Sequence, residues 1–245
     1  MRAALVTGAA AGIGRAIAQR LVDDGWDVLS VDLRPDPTGP GDAYAADLTT
    51  REGNSGAVEA ALAAYGRLDA VVANAGFQHV SPIQDFDPDR WDALLAILLT
   101  SPFLLARHAW AALSDAPDGG RFLVVASAHA LVASPYKAGY VSAKHGVLGL
   151  VKTLALEGAG RGISTTALCP GYVRTALVEA QIADQAAAHS MTEAQVLDEV
   201  LLAPQAVKRL LEPEEVADTA AFLLGPSGRA FTGVAVPMDN GWTAR

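Results

Sequence analysis

The chain has 245 residues, 51% hydrophobic and 18% charged, which excludes disorder over its bulk and supplies apolar material for a sizeable core. Eighteen basic against twenty-seven acidic residues leave a net charge of −9, which disfavours nucleic acid and anionic membrane surfaces, since both attract basic patches. One cysteine, Cys169, excludes an internal disulfide framework and a cysteine zinc site; no metal site is expected, and a reducing, cytoplasmic compartment is.

In chain order, apolar bursts over 3–6, 28–31, 68–73, 122–126, 163–168 and 234–236 read as short buried strands. Helical patterns over 13–22, 57–65, 91–113, 138–156 and 214–224 fall between them. Continuous apolar strands alternating with helices predict an α/β chain, with a doubly wound parallel sheet covered by helices on both faces and joined by right-handed crossovers. Residues 34–41 are Pro/Gly-rich and read as a surface loop. No linker divides the chain, so one domain over 1–245 is expected. The apolar stretch 94–106 is too short to span a bilayer. Residues 172–210 carry helical pieces without a strand signal and read as an inserted lid over a site.

The first strand runs into Thr7-Gly8-Ala9-Ala10-Ala11-Gly12-Ile13-Gly14, which opens the first helix. Glycines let backbone approach a pyrophosphate, and the helix N-terminus offers free N–H groups and the positive end of its dipole. The second strand ends at Asp32, about where a ribose 2′-hydroxyl needs an acceptor. Its carboxylate would repel a 2′-phosphate, so NAD is favoured over NADP. Arg34, two residues on, is the opposing signal and reads as a solvated loop residue.

Ser127 closes the strand at 122–126, and Tyr140 and Lys144 share one face at the start of the next long helix. A tyrosine with a pKa near 10 is a poor base at neutral pH, but a nearby ammonium favours the phenolate. Tyr140 could then take the proton of a substrate hydroxyl while hydride leaves, with Ser127 hydrogen-bonding the same oxygen and Lys144 holding the nicotinamide ribose.

Thr7–Gly14, Asn74-Ala75-Gly76, Ser127, Tyr140, Lys144 and Pro170-Gly171, in order and over essentially the whole chain, resemble the classical short-chain dehydrogenase/reductase family. The resemblance implies a Rossmann-like domain, a nicotinamide cofactor and a homotetramer. It implies cofactor contacts from Gly8, Gly12, Ile13, Gly14, Asp32, Tyr140 and Lys144. It adds Asp47 and Leu48 at the adenine, Asn74, Ala75 and Gly76 on the same side of the sheet, and Pro170, Gly171, Val173 and Thr175 along the nicotinamide.

Residues 75–80, 127–137, 144–146, 178–182 and 241–244 narrow the resemblance to the branch of that family acting on 3-hydroxybutyrate. That branch surrounds its hydroxy acid or keto acid with positions matching Gln78, Ser127, His129, Lys137, Tyr140 and Gln181. Lys137, His129 and the two amides are chemically apt donors for a carboxylate. Three positions depart from the pattern. Leu98 replaces a helix asparagine that supports a water-linked proton path from the lysine, so either a re-routed relay or reduced activity is expected. Asn240 replaces a glycine in a turn it should tolerate, and Tyr172 replaces a tryptophan.

Overall fold

Strand side chains alternate between two cores, as period-2 geometry requires of a sheet buried on both faces. Leu5, Leu29, Val31, Val71, Phe122, Val124 and Ala167 point into one core, and Ala4, Val6, Val28, Val72, Leu123, Val125 and Leu168 into the other. The strands are β1 Ala3–Thr7, β2 Asp27–Asp32, β3 Asp42–Ala45, β4 Ala70–Ala73, β5 Arg121–Val125, β6 Ser164–Pro170 and β7 Ala235–Met238. They form one parallel sheet in the order β3-β2-β1-β4-β5-β6-β7. The computed structural model describes residues 1–176, 178, 179, 182, 186 and 191–244.

The first core is covered by α2 Arg51–Tyr65, α4 Ser101–Ser114 and α5 Ala138–Gly158. The second is covered by α1 Gly12–Asp23 and the C-terminal helix Pro213–Leu224, which pack against each other. From β1 the chain winds outward through β2 to β3, then returns to β4 and winds the other way. The crevice at the carboxyl ends of β1 and β4 is therefore the topological switch point, where open α/β sheets bind ligands.

Three elements differ from the sequence expectation. β3 follows the 34–41 loop but was not foreseen: it has four residues, stands mostly exposed at the sheet edge, and so carries no apolar run. α2 starts at Arg51 rather than 57, because the Thr50 hydroxyl accepts from the Gly53 N–H (3.0 Å) and caps a polar first turn. The helix expected over 91–113 runs over Pro88–Ser114, with α3 Pro88–Leu95 and α4 joined by a π-turn at Ala96–Thr100. By length and composition that helix could cross a membrane, but half of its most apolar window is buried in the fold.

The described part of 172–210 forms a third cluster, in which Val178, Ile182, Val196, Leu201, Leu202 and Leu210 pack around Tyr172 and Met191. Its return is tied to the C-terminal turn. The Asn240 carbonyl accepts from Ala206 N–H and Val207 N–H, and Asn240 Nδ2 donates to the Arg209 carbonyl. Asn240 adopts φ 55°, so the turn tolerates it as expected.

Candidate active site

A cavity of about 540 Å³ runs across the carboxyl ends of β2, β1, β4 and β5, from Asp32 to Lys144. The Gly8–Gly14 turn forms its floor, and two glycines there are sterically required. A Cβ on Gly14 would lie 2.1 Å from the Gly8 carbonyl oxygen, and one on Gly8, at φ +66°, would meet Asn74 Nδ2 at 2.8 Å. Thr7 pins the turn to β4: its hydroxyl donates to the Val72 carbonyl and accepts from the Asn74 and Ala75 N–H groups (2.9 and 3.0 Å). Asn74 Nδ2 returns a bond to the Thr7 carbonyl (2.9 Å).

Asp32, Asp47, Leu48, Asn74, Ala75 and Gly76 all line this cavity, as does Ile13. Asp32 accepts from the Ala10 and Arg34 N–H groups, which hold its carboxylate at the end of β2. The Arg34 side chain is exposed and is not part of the cavity wall. Arg15, the nearest helix cation, is taken up by Asp36. Asp47 accepts from the Thr49 hydroxyl and N–H, which hold its carboxyl below the usual carboxylate range. These residues fit a dinucleotide: an open backbone turn at a helix N-terminus, a fixed acidic group at the end of the neighbouring strand, and a long slot between them. Across the slot a Cβ on Gly12 would come within 3.2 Å of the Thr175 methyl, so a glycine keeps it open.

A second, smaller cavity of about 110 Å³ adjoins the first. Both share Ile13, Val125, Ala126, Tyr140 and Thr175, so Tyr140 stands at the seam. The small cavity collects Gln78, Ser127, His129 and Lys137, the substrate residues expected from the sequence. Pro170, Gly171 and Val173, expected at the cofactor, line this cavity rather than the larger one, because β6 ends on its side of the seam; Thr175 lines both. Gln181 lies outside the described residues. Among the described residues no cluster of His, Cys, Asp or Glu suits a metal ion.

Ser127 follows β5 by two residues and caps a short helical turn, its hydroxyl accepting from the His129 N–H (3.1 Å). Burial raises the Tyr140 pKa, and the hydrogen bond with Ser127 only partly offsets it. Lys144 is buried, donates to the Val125 carbonyl (2.8 Å), and has its Nζ 5.6 Å from the Tyr140 ring centre. Burial pushes it down to about 8. Desolvation therefore dominates the ionisation of the phenol in the protein alone. Leu98, in the π-turn, lines the same wall and fills the space where Gly76 lacks a side chain.

His129 lines the cavity in its neutral form, which still donates from one ring nitrogen. Burial, Lys137 and His145 push its pKa down to about 3, so it is a neutral imidazole rather than a cation. Its Nε2 lies 2.9 Å from the Ser134 hydroxyl and its Nδ1 3.5 Å from that of Ser127. Lys137 is the cation of this cavity. It follows Tyr136, whose φ of 66° is an outlier for a bulky residue and turns the chain inward just before it. Two residues that sequence reasoning left out of the site complete the wall. Tyr172 and Trp242 stack at 5.5 Å, and Trp242 meets His129 edge-on at 5.0 Å. Trp242 belongs to a short turn after the last strand, where no periodicity or spacing points to a site.

A model of a family described as enoyl-(acyl carrier protein) reductase matches residues 8–243. A D-beta-hydroxybutyrate dehydrogenase of Rhizobium meliloti is 40% identical over 257 residues, covering 100% of this chain and 99% of its own. A D-beta-hydroxybutyrate dehydrogenase of Cupriavidus necator is 37% identical over 255 residues, covering 100% of this chain and 98% of its own. Among solved structures, a protein assigned as an NAD(P)-dependent gluconate 5-dehydrogenase of Beutenbergia cavernae, with NADP at low occupancy, superposes with a TM-score of 0.87. It is 33% identical and covers 100% of this chain and 97% of its own.

Proposed function

The chain belongs to the short-chain dehydrogenase/reductase family, an oxidoreductase with an NAD(P)-binding fold, and on that footing we propose that it interconverts 3-hydroxybutyrate and acetoacetate with NAD. The observation that carries this reading is the small cavity at the seam. Its volume of about 110 Å³ suits a substrate of a few heavy atoms, well below the usual ~300–1,000 Å³ of drug-sized sites. One buried ammonium, Lys137, and the Gln78 amide face the same space as Tyr140 and Ser127. That pairs a carboxylate anchor with a group that handles a hydroxyl proton.

A bound nicotinamide would supply the hydride acceptor. Tyr140 takes the proton of the substrate hydroxyl as the carbonyl forms, and returns it in the reverse direction. Ser127 holds the same oxygen and fixes the phenol opposite it. Lys137 binds the carboxylate, with His129 supplying a neutral hydrogen-bonding wall. Lys144 keeps a positive charge beneath the phenol, which opposes the effect of burial. Asp32 takes the ribose hydroxyls and disfavours a 2′-phosphate. Gln181, Asp47, Leu48, Pro170, Gly171, Val173 and Thr175 keep the binding roles given them by family resemblance. The insertion at 172–210 acts as the lid of a single domain over 1–245.

A homotetramer in the cytoplasm completes the reading. Phe103 on α4 and Leu156 on α5 present apolar surface outward, and the lone Cys169 is a buried thiol pushed up to about 11 by burial. Mixing the protein with NAD and D-3-hydroxybutyrate should raise NADH absorbance. Turnover only with other secondary alcohols would transfer the substrate assignment to them, and NADH binding without any turnover would remove the enzyme reading.

A further inference from the structure

We propose that this protein carries a second ligand site, at the amino ends of the strands, in which Arg2, Arg121 and Arg229 bind a phosphate-class oxyanion. A cavity of about 270 Å³ lies there, on the opposite edge of the sheet from the active site. Arg2 precedes β1, Arg121 opens β5, and Arg229 comes from the turn after the C-terminal helix.

The case rests on unpaired positive charge. The chain has more acidic than basic residues, and Arg15, Arg20, Arg67, Arg174 and Arg209 each sit in an ion pair. Among the described residues, the three arginines of this cavity do not. Asp69, one of two carboxylates on the wall, is already committed: it accepts from the Ala3 N–H (2.8 Å) and holds Arg67 through two bonds. That leaves three guanidinium groups and the single carboxylate of Asp118 on the wall.

Arg121 is only 5% exposed. Its Nη1 donates to the Gly119 and Gly120 carbonyls, but its buried Nε has no partner. Burial and the neighbouring charges of Arg229 and Arg2 act against its cationic form, and Asp118 only partly offsets them. Like charges gathered beside a buried donor left over cost free energy that an anion would recover. The other two groups are held in place. The Arg2 guanidinium carbon lies over Trp26, 4.1 Å from the ring centre, and Arg229 Nη2 rests against Gly119, where a Cβ would meet it at 2.5 Å. Planar, preset guanidinium forks match the oxygens of phosphate or a phosphoryl group.

The test is calorimetric titration at constant ionic strength with NADH in excess, so that phosphate is kept from the cofactor slot. Inorganic phosphate and glycerol 3-phosphate form the two arms. Saturable 1:1 binding in either arm, weakened at least tenfold in both Arg2→Ala and Arg229→Ala, supports the site, and the tighter arm identifies free phosphate or a phosphomonoester as its source. Both substitutions lie at the cavity rim rather than in the core, and unchanged thermal unfolding without ligand will confirm that they fold. Phosphate should raise the Tm of the wild type and not of the variants. No saturable binding to the wild type, or equal binding to wild type and variants, overturns the proposal.

Discussion

Lys137 Nζ lies 3.3 Å from the Tyr172 hydroxyl and 5.3 Å from the centre of the same ring, inside a cavity that holds no carboxylate of the protein among the described residues. Burial alone pushes the Lys137 pKa down to about 8. The ammonium is therefore present below about pH 8 and lost as pH rises through that value, whereas the unfolded chain keeps it to about 10.5. Capture of a carboxylate should weaken above pH 8. Lys144 also lies near 8, so the check is the ratio of kcat/KM for 3-hydroxybutyrate to that for a neutral alcohol of similar size. That ratio should fall with rising pH, and no limb near 6.5 should come from His129, which stays neutral. Lys137→Ala should cost about ten- to a hundredfold in kcat/KM for the hydroxy acid, the worth of one charge-assisted hydrogen bond, and much less for the neutral alcohol. Equal losses for both would make Lys137 structural.

Tyr140→Phe should leave NADH binding intact, because Tyr140 stands at the seam of the two cavities and the glycine turn is held by Thr7 and Asn74. Turnover should drop by about 10²–10⁴-fold, the usual worth of a positioned acid–base group. Fluorescence titration with NADH beside steady-state kinetics separates the two effects. Near-normal turnover would take the phenol out of the reaction.

Cofactor choice should follow the Asp32 carboxylate, which faces the slot while Arg34 points to solvent and Arg15 is held by Asp36. NAD should exceed NADP in kcat/KM. Asp32→Ala should narrow that gap by roughly tenfold or more, because it removes both a ribose acceptor and a repulsive charge. Comparable use of both cofactors by the wild type would shift control to Arg34.

Leu98 is buried in the π-turn and stacked against Gly76, on the wall shared with Lys144. An amide there could hydrogen-bond where leucine cannot. Leu98→Asn should raise kcat while lowering stability by about 2–4 kcal/mol, since it strips apolar contact from a packed site. Kinetics and thermal unfolding of the same preparation read both changes. An unchanged kcat in a folded variant would show that the proton already leaves efficiently by another way.

The sheet and its helices were legible because both strand faces are apolar, so burial writes itself into residue type: 122–126 and 163–168 could hardly be anything else. β3 was not, since an exposed edge strand such as Asp42–Ala45 is stabilised by ladder bonds that leave no hydrophobic trace. The site divides in the same way. Glycines that a Cβ would destroy, and the Tyr140 and Lys144 spacing, are local features of sequence. The ionisation of His129 and the stacking of Tyr172 on Trp242 depend on segments brought together from distant parts of the chain. No window of sequence contains them.

Trp242 closes the small cavity from a position 115 residues beyond Ser127 in the numbering, against Tyr172 and His129. During synthesis, the glycine turn, Asp32 and the Asn74–Gly76 segment emerge first, and β1, β2 and β4 can pair around the cofactor slot. The substrate wall must wait until β7 has added to the sheet edge and the turn beyond it has bonded to Ala206 and Val207. A chain halted before residue 242 would thus retain the elements that recognise a dinucleotide while its alcohol pocket stood open to water. A terminated or C-terminally clipped product should be a competitor for the coenzyme, not a slow version of the catalyst.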